Sequence, residues 1–83
     1  FLDAEARVVA HLPGKGRHAG VLGALELESA DGRRFRVGTG LSDAQRREPP
    51  AIGSLVSYRY RELTAKGMPR FPVFLRVRSP GAD

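Results

Sequence analysis

Cysteine is absent from this sequence of 83 residues, which excludes a disulfide framework, a thiolate zinc site and a cysteine nucleophile. Histidine is scarce, and the two that are present, His11 and His18, have no spacing that indicates a zinc site or a catalytic triad. Apolar runs are short, and none approaches the roughly 20 residues of a membrane-spanning helix. We therefore expect a protein with no metal site of its own and no membrane partner.

Acidic residues are too few to balance the basic ones. The chain has 14 Lys and Arg against 9 Asp and Glu, a net charge of +5 with a pI near 10.7. The surplus lies in residues 54–78, where six basic residues accompany Glu62 alone, and the rest of the chain sums to zero. Positive charge concentrated in one segment favours binding of a polyanion such as nucleic acid. The alternative interpretation is that 12 Arg and 2 Lys reflect genome composition and solubility, and charge alone does not separate the two.

Short alternating or β-branched runs predict five strands. They lie at Glu5–His11, Val21–Glu28, Arg34–Val37, Leu55–Leu63 and Phe71–Arg78. The Asp31-Gly32 step between the second and third runs is typical of a hairpin turn. Pro13 ends the first run and Lys66-Gly67 marks the turn between the last two.

One short helix is predicted over Ser42–Glu48. Ser42 is followed three residues later by Gln45, the pattern of a capping box, and Pro49 disfavours helical geometry at the residue before it. The order of three strands, a helix and two strands predicts an all-β domain, the five-stranded OB-fold Greek-key barrel, which binds oligonucleotides. An SH3-like barrel is the alternative, but it usually lacks a helix between the third and fourth strands.

A basic, glycine-rich loop covers Gly14–Gly20. Its glycine spacing matches neither the Walker motif nor the dinucleotide fingerprint, and it leads into a strand where both of those motifs open a helix. Two interpretations carry equal weight: Lys15 and Arg17 contact a nucleic-acid backbone, or the segment is a solvated turn.

The aromatic residues are predicted to be core rather than stacking platforms. Phe35 lies on the apolar side of its strand, and Tyr58 and Tyr60 share a face with Val56, which favours packing over base stacking. Phe74 falls on the arginine face of the last strand. We expect it to pack against a partner domain or to be covered by a loop.

The segment Arg70–Arg78 reads Arg-Phe-Pro-Val-Phe-Leu-Arg-Val-Arg and resembles the last signature motif of ATP-dependent DNA ligases. Two further blocks agree in order, Gly14–Gly20 leading into Gly23–Leu25, and Gly38–Asp43. Three ordered blocks are more specific than one. The whole chain, residues 1–83, therefore resembles the C-terminal OB-fold domain of the small bacterial ATP-dependent DNA ligases.

The resemblance implies a role in sealing nicks, in which the domain closes on a nucleotidyltransferase domain during adenylation and then grips nicked duplex DNA. The partner domain would belong to the same polypeptide, working as a monomer. ATP and Mg²⁺ would serve the full-length enzyme, with none expected on this fragment. The location implied is the bacterial cytoplasm, or the periplasm if the missing N-terminal part carries a signal peptide.

The resemblance also assigns residues. Arg70, Arg76 and Arg78 of the last motif are expected to face the ATP phosphates, since guanidinium forks suit phosphate oxygens. For Arg70 the alternative is that it ends the turn or pairs with an acidic residue. The remaining basic residues of the charged loop and strands are expected to contact the DNA backbone rather than the bases. They are Lys15, Arg17, Arg59, Arg61 and Lys66.

Two departures from the ligase pattern limit what the chain does alone. The nucleotidylated motif Lys-x-Asp-Gly is missing from these residues, so we expect no catalytic residue and no activity without the partner domain. Ser79-Pro80-Gly81 stands where larger relatives have an acidic residue and a lysine, which leaves that lysine's role unassigned. The alternatives are a stand-alone OB module that binds nucleic acid, and a barrel that only contacts other proteins.

Overall fold

The computed structural model describes residues 1–79 and confirms the predicted order of strands and helix. The elements are β1 (Leu2–Pro13), β2 (Leu22–Glu28), β3 (Arg34–Val37), α1 (Asp43–Arg47), β4 (Leu55–Tyr60), β5 (Glu62–Leu63), β6 (Pro69–Arg70) and β7 (Val73–Ser79). One 3-10 turn, Gly16–His18, lies between β1 and β2. Pro80 and Gly81, noted above as a departure from the motif, lie outside the described residues.

The long strand β1 holds the sheet together because it pairs on both sides. The order is β3-β2-β1-β4-β7, and every neighbouring pair is antiparallel. The two outer strands approach each other through a parallel bridge between Thr39 and Val73, where the Phe74 amide donates to the Thr39 carbonyl at 2.8 Å. A five-stranded sheet brought round on itself with a helix between its third and fourth strands is the OB-fold, as predicted.

The barrel interior is filled by the alternating apolar residues of the strands. Leu25, Leu27 and Val37 are at most 1% exposed. The other buried apolar residues are Ala6, Val8, Leu22, Phe35, Val56, Tyr58 and Phe74. The rings of Phe35 and Tyr58 lie 4.9 Å apart in a tilted arrangement, a separation at which aromatic pairs attract. The predicted core role of Tyr58 is therefore confirmed, and Tyr60 is partly buried against the same cluster.

Helix α1 begins at a capping box, as the sequence predicted. The Ser42 hydroxyl accepts from the Gln45 amide at 3.1 Å, and the Gln45 side chain accepts from the Ser42 amide at 2.9 Å. Arg46 then fixes the helix to the barrel, because its guanidinium donates to the carbonyls of Leu22, Gly23 and Gly38 at 2.9, 2.8 and 2.6 Å. The helix thus lies against the β2–β3 edge.

The fourth and fifth predicted strands have different bounds in the structure. The prediction that one strand runs to Leu63 is wrong, because β4 ends at Tyr60 and a separate hairpin of β5 and β6 follows. The last strand begins at Val73 and not at Phe71. Phe71 has a φ of +53°, the left-handed region, which an extended strand does not allow.

Phe74 is neither under a loop nor directed at another domain. It is 2% exposed and belongs to the core. The physical reason is a pair of register shifts: opposite Ser57 lies Arg76, but opposite Tyr58 lies Phe74, so β7 carries an extra residue there. Such a bulge reverses which side chains face inward. Val77, predicted to be on the apolar face, does lie opposite the buried Val56, but it is 41% exposed.

Candidate nucleic-acid interface

A shallow depression of about 540 Å³ lies on the outer face of β1, β4 and β7. We call it the arginine groove. The residues that define it are Asp3, Glu5, Ser57, Arg59, Arg76 and Arg78. Three guanidinium groups and two carboxylates therefore meet on one surface, which gives the groove a formal charge of +1.

Strand register brings these residues together. Asp3 lies directly opposite Arg59 across β1 and β4, and Ser57 lies opposite Glu5 on one side and Arg76 on the other. Directly opposed residues share a face of the sheet. Because Ser57 is small, the longer side chains on either side reach over it, and Ser57 is 7% exposed although it lies on the outer face.

Two of the three guanidinium groups in the groove are engaged by carboxylates. Arg59 holds Asp3 at 2.8 Å (Nε to Oδ1) and 3.4 Å (Nη2 to Oδ2), and Arg78 holds Glu5 at 3.1 Å (Nε to Oε2). The hydrogen bond from Arg59 holds the pKa of Asp3 below its usual value, and the same bond raises the pKa of Arg59. Among residues 1–79, no hydrogen bond or ion pair engages the Arg76 side chain.

From the sequence, Arg59 was predicted to contact DNA, and Arg76 and Arg78 to face the ATP phosphates. In the structure all three line the same groove. Arg70, the third residue of the predicted phosphate group, does not line that groove. It lies on β6 and pairs with Glu62 at 3.4 Å.

The β5–β6 hairpin carries the other basic residues of the charged stretch. Arg61 precedes β5 and Lys66 lies in the hairpin turn, and both are exposed. Arg33, from the turn between β2 and β3, donates to the Lys66 carbonyl at 3.1 Å, so the hairpin is tied to that turn by its backbone. The amino group of Lys66 has no partner within the described part of the chain.

A second group of basic residues lies where the β1–β2 loop faces α1. A small depression of about 220 Å³ there is lined by residues of both, including Arg17, Asp43 and Arg47. Arg47 was not selected from the sequence, because no local pattern shows that the last turn of α1 faces this loop. Lys15 and Arg17 are exposed in that loop. His11, also near the helix end, contacts the Pro50 carbonyl through Nε2 at 2.7 Å.

Residues 1–79 contain no cluster of three or more His, Cys, Asp or Glu side chains arranged to hold a metal ion. No helix in the same range has the length and apolar character needed to cross a membrane.

Comparison with known proteins points to one family. A family model for the DNA ligase OB-like domain matches residues 13–78. The DNA ligase of Haemophilus influenzae is 42% identical over 74 residues, which cover 89% of this chain and 27% of that protein.

Solved structures agree with the family match. A structure from work on DNA binding with a minimal scaffold in Lig E DNA ligases is 49% identical, with a TM-score of 0.90, over 93% of this chain and 30% of that one. The Chlorella virus DNA ligase–adenylate is 34% identical, with a TM-score of 0.79, over 98% of this chain and 32% of that one.

The chain thus spans about 27% of the curated relative's length, so the likeness covers one part of a larger ligase. The barrel topology, the matched residues and the identity over nearly the whole chain agree with one another. The chain belongs to the DNA ligase OB-like domain family.

Proposed function

We propose that this chain is the OB domain of an ATP-dependent DNA ligase and acts with a nucleotidyltransferase domain elsewhere in the polypeptide. The match to the ligase OB family and the one-quarter to one-third share of its relatives' length support this assignment. A stand-alone nucleic-acid-binding module is the alternative, but the relatives described above are DNA ligases.

The arginine groove is the proposed phosphate-facing surface during adenylation. In that step a lysine of the nucleotidyltransferase domain would attack the α-phosphorus of ATP and take the adenylyl group, and pyrophosphate would leave. Negative charge grows on the departing phosphates, and phosphoryl transfer is accelerated mainly by positioning and by stabilising that charge. Arg76 and Arg78 would face those phosphates, and Arg59, which shares their groove, joins them.

The observation that carries the proposal is the state of Arg76. Arg76 lines the groove together with two arginines that are already paired, and no hydrogen bond or ion pair within residues 1–79 engages its side chain, although its charge contributes to lowering the pKa of Asp3. A guanidinium that donates to no carboxylate has its N–H donors available for phosphate oxygens. Arg70 is proposed to act at the edge of the site, from the β5–β6 hairpin.

Mg²⁺ is not assigned to this domain. The described residues include no cluster of acidic or histidine side chains that could cage a divalent ion. Mg²⁺ characteristically takes carboxylates together with substrate phosphates, so any Mg²⁺ of the proposed ligase would need ligands beyond these side chains.

Nicked duplex DNA is the proposed partner in sealing. Lys15 and Arg17 of the β1–β2 loop, with Arg47 close to Arg17, form one candidate contact with the phosphate backbone. Arg61 and Lys66 of the hairpin region form another. Such contacts add affinity without sequence preference, and each neutralised phosphate steepens the salt dependence of binding.

The test compares the intact ligase with its nucleotidyltransferase domain alone. We expect the domain to raise the single-round rate of ligase–adenylate formation by at least about a hundredfold, the scale of preorganised charge stabilisation. We also expect it to tighten binding of nicked duplex with a steeper salt slope. Equal adenylation rates with and without the domain would contradict the proposal.

A further inference from the structure

The carboxylates of the arginine groove occupy the donors that a phosphate would use. Arg59 donates to Asp3 through both Nε and Nη2. The same two donors of a guanidinium can bind a phosphate in a bidentate manner. Arg78 gives Glu5 its Nε. Side chains of β1 therefore occupy two donors of Arg59 and one donor of Arg78 before any ligand arrives.

These ion pairs are exchangeable. The four side chains are between 42% and 56% exposed, and ion pairs open to water are weak because solvent screens them and both side chains lose freedom. A polyphosphate carries several negative charges on one molecule, so it can displace both carboxylates from the guanidinium groups.

The displaced carboxylates stay in the groove, because they are fixed to β1. Asp3 and Glu5 alternate on the outer face of that strand, and the ligand must bind beside their negative charges. Their presence reduces the groove's formal charge from +3 to +1. The carboxylates therefore weaken retention of any polyanion, including the pyrophosphate that has to leave.

We infer that Asp3 and Glu5 set the phosphate affinity of the groove by competing for Arg59 and Arg78, and so favour release of pyrophosphate. The inference rests on the proposed function, because it assumes that the groove faces the ATP phosphates. Asp3 and Glu5 act through the arginines and do not contact the reacting atoms, so they are positioning residues.

The test uses the intact ligase and inorganic pyrophosphate as the probe. The double variant Asp3→Asn with Glu5→Gln should bind pyrophosphate about three- to tenfold more tightly, as expected for removing two charges at short range in a water-exposed site. Pyrophosphate should inhibit adenylation of the variant enzyme with a steeper salt dependence, and the variant's KM for ATP should fall. The conservative variant Asp3→Glu should behave as the wild type.

The matched control is Glu28→Gln, which removes one carboxylate from an exposed ion pair with Arg34 at 3.3 Å outside the groove. It should leave pyrophosphate binding unchanged. Unchanged or weaker pyrophosphate binding in the double variant would overturn the inference. If that variant unfolds, as judged by thermal melting, Glu5→Gln alone decides the question on the same readout.

An Arg76→Ala arm separates this inference from the proposal on which it rests. Loss of adenylation in Arg76→Ala with no change in the Asp3 and Glu5 variants would overturn the inference alone. Normal adenylation in Arg76→Ala would contradict the proposed phosphate-facing role of the groove.

Discussion

At the scale of single residues, Phe71 differs most from its sequence-based prediction. It is an aromatic residue with φ at +53°, and 69% of it is exposed. Residues other than glycine are strained in the left-handed region of φ and ψ, because their Cβ comes too close to the backbone. The residue is thus held in a costly conformation while its ring is largely outside the core, and burial does not explain its conformation.

This combination predicts an unusual order of stabilities. Phe71→Gly should be more stable than Phe71→Ala by about 1 kcal/mol, because glycine adopts the left-handed region without strain and alanine does not. Equilibrium urea unfolding of the two variants checks the difference. A less stable Phe71→Gly would show that the backbone strain is absent or that the unfolded-state entropy of glycine exceeds it.

At the scale of elements, the barrel depends on the segment that joins β3 to α1. The parallel bridge between Thr39 and Val73 brings the two outer strands together. Gly40 lies in this segment and has a φ of +93°. A Cβ at this position would lie 2.4 Å from the Phe74 carbonyl oxygen. The closure of the barrel therefore requires a residue without a side chain at this position.

Gly40→Ala should destabilise the domain by roughly 2–4 kcal/mol, since the strained backbone and the steric clash with β7 add together. The matched control is Gly32→Ala, at a φ of +88° but with nothing within 4 Å of the added Cβ. Gly32→Ala should lower the free energy of unfolding by about 1 kcal/mol, because it introduces backbone strain without a steric clash. Equal losses in the two variants, measured by thermal unfolding, would show that the approach of Gly40 to β7 is unimportant.

The local elements could be predicted because their signals are local. The alternation of Leu25 and Leu27, and the Ser42 to Gln45 spacing of the capping box, each lie within a few residues, and both match the structure. The break after Tyr60 could not be predicted in the same way. The residues beyond it continue to read as a strand, and pairing between β5 and β6 depends on where the later hairpin turn falls.

At the scale of the whole molecule, charge counted along the chain is not the charge of a surface. The net +5 of residues 54–78 is reduced in three dimensions, because Arg59 and Arg78 pair with acidic residues of β1. Arg59 and Asp3 are 56 residues apart in sequence. No local pattern reveals such a pairing, and this is why the sequence indicated the basic residues but not which of them stays free.

The same reasoning explains which candidate site residues separate. Arg70 and Arg76 belong to one sequence motif, but the turn at Phe71 and the bulges of β7 place them on different surfaces. Arg59 comes from another strand and joins Arg76 through the register of β4 with β7. A motif therefore predicted the residue types, and strand register decided which ones act together.

The most direct test of the account is the rate of ligase–adenylate formation in the intact enzyme with Arg76→Ala. The control is Arg36→Ala, which removes another exposed strand arginine, on β3 outside the groove. We predict that Arg76→Ala slows adenylation at least about tenfold, that Arg36→Ala does not, and that Arg76→Ala seals a pre-adenylated nick with a smaller loss. Equal adenylation rates in the two variants would contradict the claim that the arginine groove faces the ATP phosphates.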